Sequence, residues 1–418
     1  MKPDIKQRIE QIRQGEVPEG YKKVEKTIIP SSWDIKSLGS ICTDFKYGMN
    51  AAAKEFDGLN KYIRISDIDD DTHMYTGLDI VSPDGVLEPK YLVQENDILF
   101  ARTGATVGKT YLYNKNDGIL FFAGFLIKVN VPKDNSYYIY AQTLTKRYLN
   151  WIQIMSQRSG QPGINAHEYS SYTFPYCPLP EQQKIADILT AQDKVTELKE
   201  QLLAQKQQQK KYLMQQLLTG KKRLPGFSGE WKKEHLGKLF SERKETNCQN
   251  LEMLAITGNQ GIIPRAQLDL KDNSSDDKSK YLKVCIGDIG YNTMRMWQGV
   301  SAYSNYEGIV SPAYTILKPC SNINAKYFSY LFKMPKTISL FYRFSQGLVD
   351  DTRNLKYENF KKIRVSYPVD KEEQTAIADV LSTADREIDL LRQSIEAEKQ
   401  KKKALMQLLL TGIVRVTV

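Results

Sequence analysis

The sequence predicts an α/β protein written twice over, with two mixed α/β modules, each followed by a long helix. Three observations carry this. The block Glu181–Gly220 returns as Glu373–Gly412 at a constant offset of 192, without a gap and with 19 of 40 positions identical; chance does not give this, so the chain holds a long-period duplication. Neither block contains Gly or Pro before its last residue, so each reads as one helix closed by a C′ glycine, Gly220 or Gly412. A fainter repeat precedes them: Trp33 in "SSWDIKSLGSI" and Trp231 in "GEWKKEHLGKLF" are each followed five and six residues later by Leu-Gly.

Taken in order, residues 1–20 form a polar N-terminal helical segment. Its "MKPDIKQRIEQIRQG" alternates in charge and has no apolar run of the kind a secretory signal needs. Residues 21–180 form the first module, with strands expected at "KYIRISDI", "NDILFAR", "TYLY" and "GFLIKVNV" and helix around Tyr137–Met155. Residues 181–220 are the first long helix. Its apolar seam is expected through Ile188, Val195, Leu198 and Leu202, resuming at Tyr212 and Leu213, and its middle, "QKQQQKK", is polar all round. Residues 221–370 form the second module, with strands at "KYLKVCIGDIGYN" and "AYTILKP" and helix around Ala325–Tyr342. Residues 371–418 hold the second long helix. Its seam is heptad-like: Ile377, Leu381, Ala384, Ile388, Leu391 and Ile395, then Leu405 and Leu409 after a polar interruption at Glu398 and Lys402. Forty helical residues span roughly 60 Å. Such narrow seams suit a helix pair better than burial in a globular core, so the two helices are expected to form a coiled coil and the molecule to have an internal pseudo-two-fold axis.

Composition narrows the function. Apolar residues are 41% and charged residues 26% of the chain, enough for a buried core. The net charge of +10 favours a polyanionic partner, nucleic acid before anionic lipid. No apolar run approaches the roughly 18 residues of a spanning helix. Five cysteines are widely spaced without a CxxC pair, and only three histidines occur, which excludes a disulfide framework or zinc site and places the chain in the cytoplasm.

Three stretches imitate catalytic motifs and fail. "TGATVGKT" (Thr103–Thr110) has three residues between Gly104 and Gly108 where the phosphate loop needs four, and a strand-like run follows instead of a helix N-terminus. "PDGVLEPK" (Pro83–Lys90) holds Asp84, Glu88 and Lys90, the letters of a metal-dependent nuclease, but reads as a surface loop. "SPAY" (Ser311–Tyr314) lacks the polar first residue and second proline of an amino-methyltransferase motif. The histidines have no neighbouring nucleophile. Neither catalytic nor metal-ligating residues are assigned.

Two related but diverged basic modules suit a two-part duplex target, with equivalent grooves roughly 34 Å apart. The candidate DNA contacts are Lys46, Tyr47, Arg64, Arg102, Lys109, Arg158 and Gln161 in the first module, and Asn259, Gln260, Arg265, Arg295, Arg343, Gln346 and Arg353 in the second. Arg pairs with guanine and Gln or Asn with adenine, and glycines beside Arg102 and Gln161 allow close approach.

The twin "EQ..IA..L" helices ending in "LLTG", the lead-ins "IPSSWDIKSLG" and "KKRLPGFSGEW", and "RTGATVGK" (Arg102–Lys109) resemble the specificity subunits of type I restriction–modification systems. The resemblance covers nearly the whole chain. It implies two target recognition domains separated by helices that form an antiparallel coiled coil, whose length sets the spacer of a bipartite, asymmetric DNA target. It implies a non-catalytic subunit that binds no cofactor itself. Two modification subunits would dock on it, bring S-adenosylmethionine and methylate adenine. Restriction subunits would add ATP- and Mg-dependent functions. The short tail "IVRVTV" lacks the linker that follows the first helix, so the N-terminal "IKQRIEQIRQGEVPEGY" is expected to complete it and close a circular arrangement.

Overall fold

The structure, a computed structural model, describes residues 3–258, 261–268 and 277–417. They divide into two compact units, Met1–Leu198 with Ile395–Val418, and Lys199–Ser394. Both are built on one plan. In the first unit a four-stranded antiparallel sheet runs in the order Thr43–Tyr47, Leu126–Asn130, Asp97–Ala101, Thr110–Leu112. In the second the order is Phe240–Glu242, Tyr314–Pro319, Ile289–Asn292, Ser301–Tyr303, again antiparallel. A two-stranded ribbon accompanies each sheet, Asp34–Ser37 with Thr173–Tyr176 and Trp231–His235 with Arg364–Pro368.

The central strand "DILFA" is buried at every position, because side chains of period two enter two cores. Ile98 and Phe100 face the helices, and Leu99 and Ala101 join a second cluster with Ile63, Leu120 and Phe122. The second unit repeats the division: Ile289 and Tyr291 face its helices, while Gly290 lies under Ile256, Ile262 and Ile316. A Cβ there would stand 2.3 Å from the Ile256 Cδ1 atom.

The helical stretch expected around Tyr137–Met155 is two helices, Ser136–Gln142 and Lys146–Met155, the second capped by Thr145. Its counterpart divides into Ala325–Leu331 and Pro335–Phe344. Pro335 occupies the first helical turn, where its missing N–H is no loss. Of the stretch Pro83–Lys90 expected as a loop, only Pro83 and Asp84 are in a strand, Val81–Asp84 paired with Ala52–Glu55; Pro83 is tolerated there because it lies at an edge.

The long helices run Leu179–Leu217 and Lys371–Leu410. Both end as expected: Gly220 and Gly412 have φ of +69° and +73°. The Gly220 and Gly412 amides donate back to the Leu217 and Leu409 carbonyls at 3.4 and 3.2 Å, the five-to-two bond of a glycine cap, and the Lys222 and Val414 amides reach back six residues to the Gln216 and Leu408 carbonyls at 3.2 and 3.0 Å. Pairing is antiparallel within each unit. In the first, Gln192 reaches Glu398 (2.7 Å) and Lys402 reaches Asp193 (2.5 Å). In the second, Lys199 reaches Ser394 (2.8 Å), Lys206 reaches Glu387 (2.7 Å) and Lys210 reaches Asp385.

The expected seam of the second long helix is correct, with Ile377, Leu381, Ile388, Ile395 and Leu409 buried. That of the first holds at Ile188 and Leu213, which pack on the cores, and fails between them. Val195, Leu198, Leu202 and Tyr212 are exposed by 39–55%, and the inward face instead carries Ile185, Leu189, Gln192, Lys206, Lys210, Leu213 and Leu217. Lysines at heptad-core positions misled the apolar count: their stems cover the partner helix while the ammonium groups reach its carboxylates. The "QKQQQKK" stretch is thus half of a contact.

The repeated signature now has a physical meaning. Gln182 and Gln374 are fully buried. They accept from the Asn135 and Asn324 amides (3.0 and 2.7 Å) and donate to the Cys177 and Pro368 carbonyls (both 2.9 Å). Ile185, Ala186 and Leu189, with Ile377, Ala378 and Leu381, enter the cores. Glu181 accepts from Arg415 at 2.6 and 2.8 Å and from the Trp33 indole at 2.9 Å. Glu373 accepts from Arg223 at 2.5 and 2.6 Å. A third fastening joins Tyr137 to Asp193 (2.5 Å) and Tyr330 to Asp385 (2.7 Å), where Lys402 and Lys210 complete a tyrosine–aspartate–lysine chain.

In the first unit the N-terminal segment meets the end of the chain, as the short tail predicts. Arg8 donates to the Ile413 carbonyl (3.2 Å), and Tyr21 to that of Gly412 (2.8 Å).

Candidate nucleic-acid interface

Glycines and a pinned backbone build the candidate site of the first unit. The turn "RTGATVGK" joins strands Asp97–Ala101 and Thr110–Leu112, so a strand, not a helix N-terminus, follows it. Gly104 and Gly108 have φ of +82° and +89°, left-handed values that side chains resist. Gly108 also sits against Ile152, 2.8 Å from where a Cβ would stand, and its carbonyl accepts from Tyr148 (3.0 Å). The Arg102 amide donates to Phe125 (3.0 Å), and its carbonyl accepts from Ile164 (2.9 Å).

This frame brings Tyr47, Arg64 and Arg102 to one cleft of about 550 Å³, shared with Gly48, Gly124 and Phe125. The Arg102 guanidinium lies 4.7 Å from the Tyr47 ring centre, a cation–π distance, and the Tyr47 hydroxyl accepts from the Ala166 amide (3.2 Å). Gln161 lies on the adjoining loop, its amide nitrogen 3.3 Å from where a Gly104 Cβ would stand.

The other first-module cations are engaged. Arg64 donates to Asp67 at 2.7 and 2.9 Å and to Asp79 at 3.0 Å; the Asp67 hydrogen bonds, first of all, raise its pKa. Lys109 is mostly covered, donating to the Ile68 carbonyl (2.8 Å) and pairing with Asp70. Arg158 pairs with Glu168 (2.5 Å) and Lys46 with Asp44 (3.1 Å).

In the second unit Asn259 and Gln260 lie outside the described residues. Arg265 begins the short turn Arg265–Gln267. The structure gathers the others: helix Pro335–Phe344 packs against the turn Met296–Gln298, setting Trp297 beside Tyr342 with ring centres 6.0 Å apart. Arg353 lies over the Tyr342 ring at 4.0 Å, donates to its hydroxyl and bonds Asp350, both at 2.8 Å; Asp350 is the main cause of its raised pKa. Arg295 and Arg343 are exposed nearby. The backbone of Gln346 pairs with that of Asn354, both bonds 2.8 Å, and the closed loop displays a fully exposed Leu348. Sequence reasoning missed Phe125 and Leu348 because apolar letters read as core. Their signal was position, beside Gly124 and Gly347 in turns.

Among the described residues no group of three or more His, Cys, Asp or Glu could hold a metal ion, and no helix is long and apolar enough to cross a membrane.

The fold is thus two copies of one α/β frame, each carrying an arginine over a tyrosine ring. The family model described as "Type I restriction modification DNA specificity domain" matches residues 30–208 and again 229–399, and the chain belongs to that family. It is 23% identical over 432 residues to the type I restriction enzyme MjaVIII specificity subunit of Methanocaldococcus jannaschii, covering 95% of this chain and 96% of that protein. It is 24% identical over 434 residues to a second protein of that organism, assigned as the MjaX specificity subunit, with 95% and 97% covered. Among solved structures the fold is similar to the type I S subunit from M. genitalium (TM-score 0.57, 14% identity, 92% of this chain and 97% of that one). It is also similar to a chain from a type I R-M system solved for its complex assembly and conformational transition (TM-score 0.55, 15% identity, 92% and 99%). The recognition reading and the two-module α/β architecture made from the sequence stand.

Proposed function

We propose that this specificity subunit reads a bipartite, asymmetric duplex target, one block per module, and is itself non-catalytic. Two modification subunits dock on it, bring S-adenosylmethionine and methylate adenine N6. Restriction subunits, using ATP and Mg, join in the full complex, which works in the cytoplasm. One observation carries the reading: the two units share a sheet order and a set of helix fastenings, yet their displayed surfaces differ. The first presents Arg102 on Tyr47 from a strand-turn, the second Arg353 on Tyr342 from a loop after a helix. A common frame with different surfaces suits two unlike half-sites.

Of the candidate contacts, Tyr47, Arg102, Gln161, Arg295, Arg343 and Gln346 are the ones that the geometry favours for DNA. Lys46, Arg64, Lys109, Arg158 and Arg353 are partnered by carboxylates within the chain. The test is adenine-methylation mapping after co-expression with the modification subunit in a methylation-free host. Two short blocks around a fixed gap are expected, and exchange of residues 21–180 should alter one block only. A contiguous palindrome, or methylation without a motif, refutes the two-reader model.

A further inference from the structure

We infer that Arg102 reads a guanine edge in the block recognised by the first module, with Phe125 contacting the neighbouring base pair. The inference rests on the proposed two-block function and names the residue that decides one base of it.

Arg102 is at once ordered and uncompensated. Its backbone is held on both sides, by Phe125 and Ile164 (3.0 and 2.9 Å). Its guanidinium is held at 4.7 Å from the ring of Tyr47, whose hydroxyl is itself anchored to Ala166. No described carboxylate pairs with it, whereas Arg64, Lys109, Arg158 and Lys46 all have acidic partners. A stacked guanidinium keeps its donors in one plane, the geometry that meets guanine O6 and N7 together. Because the tyrosine already fixes the side chain, little rotamer entropy remains to be lost on binding.

The surroundings admit a base edge. The cleft floor comes close to backbone: a Cβ on Gly48 would stand 2.1 Å from the Ala123 carbonyl oxygen, and one on Gly124 3.3 Å from that of Met49. Phe125 follows at the lip, 64% exposed. A phenylalanine that exposed, with its carbonyl tied to the Arg102 amide, is placed to pack on an apolar base feature such as the thymine methyl group. A non-specific phosphate contact needs neither the tyrosine platform nor the adjoining apolar lip.

The test compares the wild-type and Arg102→Gln chains, each assembled with the modification subunit. In methylome maps, Arg102→Gln is expected to relax or change one guanine position in the block that a first-module exchange also changes, leaving the other block and the gap intact. Arg102→Lys keeps the charge but loses the fork and should only partly rescue. In binding assays with the native target, 7-deazaguanine at that position should weaken the wild-type complex by roughly 5- to 150-fold and have no effect on the Arg102→Gln complex. This second readout holds even if the variant methylates poorly. An unchanged motif, or a 7-deazaguanine effect that persists in Arg102→Gln, overturns the assignment while leaving two-block recognition intact. A contiguous wild-type motif overturns the two-block reading itself.

Discussion

Arg223 and Arg415 stand in the same relation to the two repeats, 192 residues apart, yet their removal should not be equivalent. Each forms a two-bond pair with the first glutamate of a long helix. The Glu373 side chain is fully buried and that of Glu181 is 3% exposed. Glu181 also receives the Trp33 indole N–H at 2.9 Å, whereas the Trp231 indole nitrogen is buried without a partner. Removing one member of a buried pair leaves an uncompensated charge, at a cost of about 3–5 kcal/mol. After Arg223→Ala nothing in the described fold replaces the lost donors, so the full range applies. After Arg415→Ala the indole still donates to the carboxylate, a charged hydrogen bond worth about 1.5–3 kcal/mol, and Arg415 was itself more solvated, its side chain 41% exposed against 26% for Arg223. The expected loss is therefore about 2–3 kcal/mol. Denaturant unfolding followed separately in the two units, by local fluorescence probes, measures both, since a two-unit chain need not melt in one transition. Trp33→Phe in the Arg415→Ala background should bring the first unit to the loss seen for Arg223→Ala. Equal losses for the two arginines, or no further loss on removing the indole, refute the reasoning.

Three further outcomes are expected. Burial, and next the Lys210 charge, lower the Lys333 pKa from 10.5 to about 8. Its folded pKa lies below its unfolded one, so the unfolded chain binds more protons between pH 8 and 10.5 and stability should rise with pH across that window, by up to about 3 kcal/mol. Lys333→Met should flatten this slope and stabilise the second unit at pH 7 by about 1–2 kcal/mol, the hydrogen bond to Gly299 being the offset, as read by urea melts at several pH values. Gly108→Ala must hold φ near +89° against Ile152 and should cost the first unit about 2–4 kcal/mol, seen as a lowered urea midpoint. Asp193→Asn removes the charge shared by Tyr137 and Lys402 and should increase amide exchange in helix Ser136–Gln142, which holds Tyr137 near its start, more than elsewhere in the first unit.

The fold was legible where it repeats. Helix ends at Gly220 and Gly412, the strands, and the modular order follow from local letters that agree with tertiary context. The inward face of the first long helix did not follow, because Gln192, Lys206 and Lys210 occupy core positions that an apolar count assigns to water, while Val195 and Leu198 are apolar and exposed. For the site, residue type found the arginines but could not sort them: Arg64 and Arg102 are equally basic in sequence. Only the placement of Asp67 and Asp79 beside one, and of Tyr47 beneath the other, separates a structural cation from an available one.

The helix fastenings have a consequence for how such a chain changes over generations. Gln182, Tyr137 and Asp193 in the first module, and Gln374, Tyr330 and Asp385 in the second, share no residue with the surfaces around Tyr47 and Tyr342. Attachment and reading are thus separate inheritances. A foreign module that carries the same asparagine cap and tyrosine can be grafted by recombination at the helix boundary, and it would seat in the old socket with a new vocabulary. Substitutions on the surfaces around Tyr47 and Tyr342 leave the socket untouched, in keeping with copies that share 19 of 40 helix positions yet display different loops.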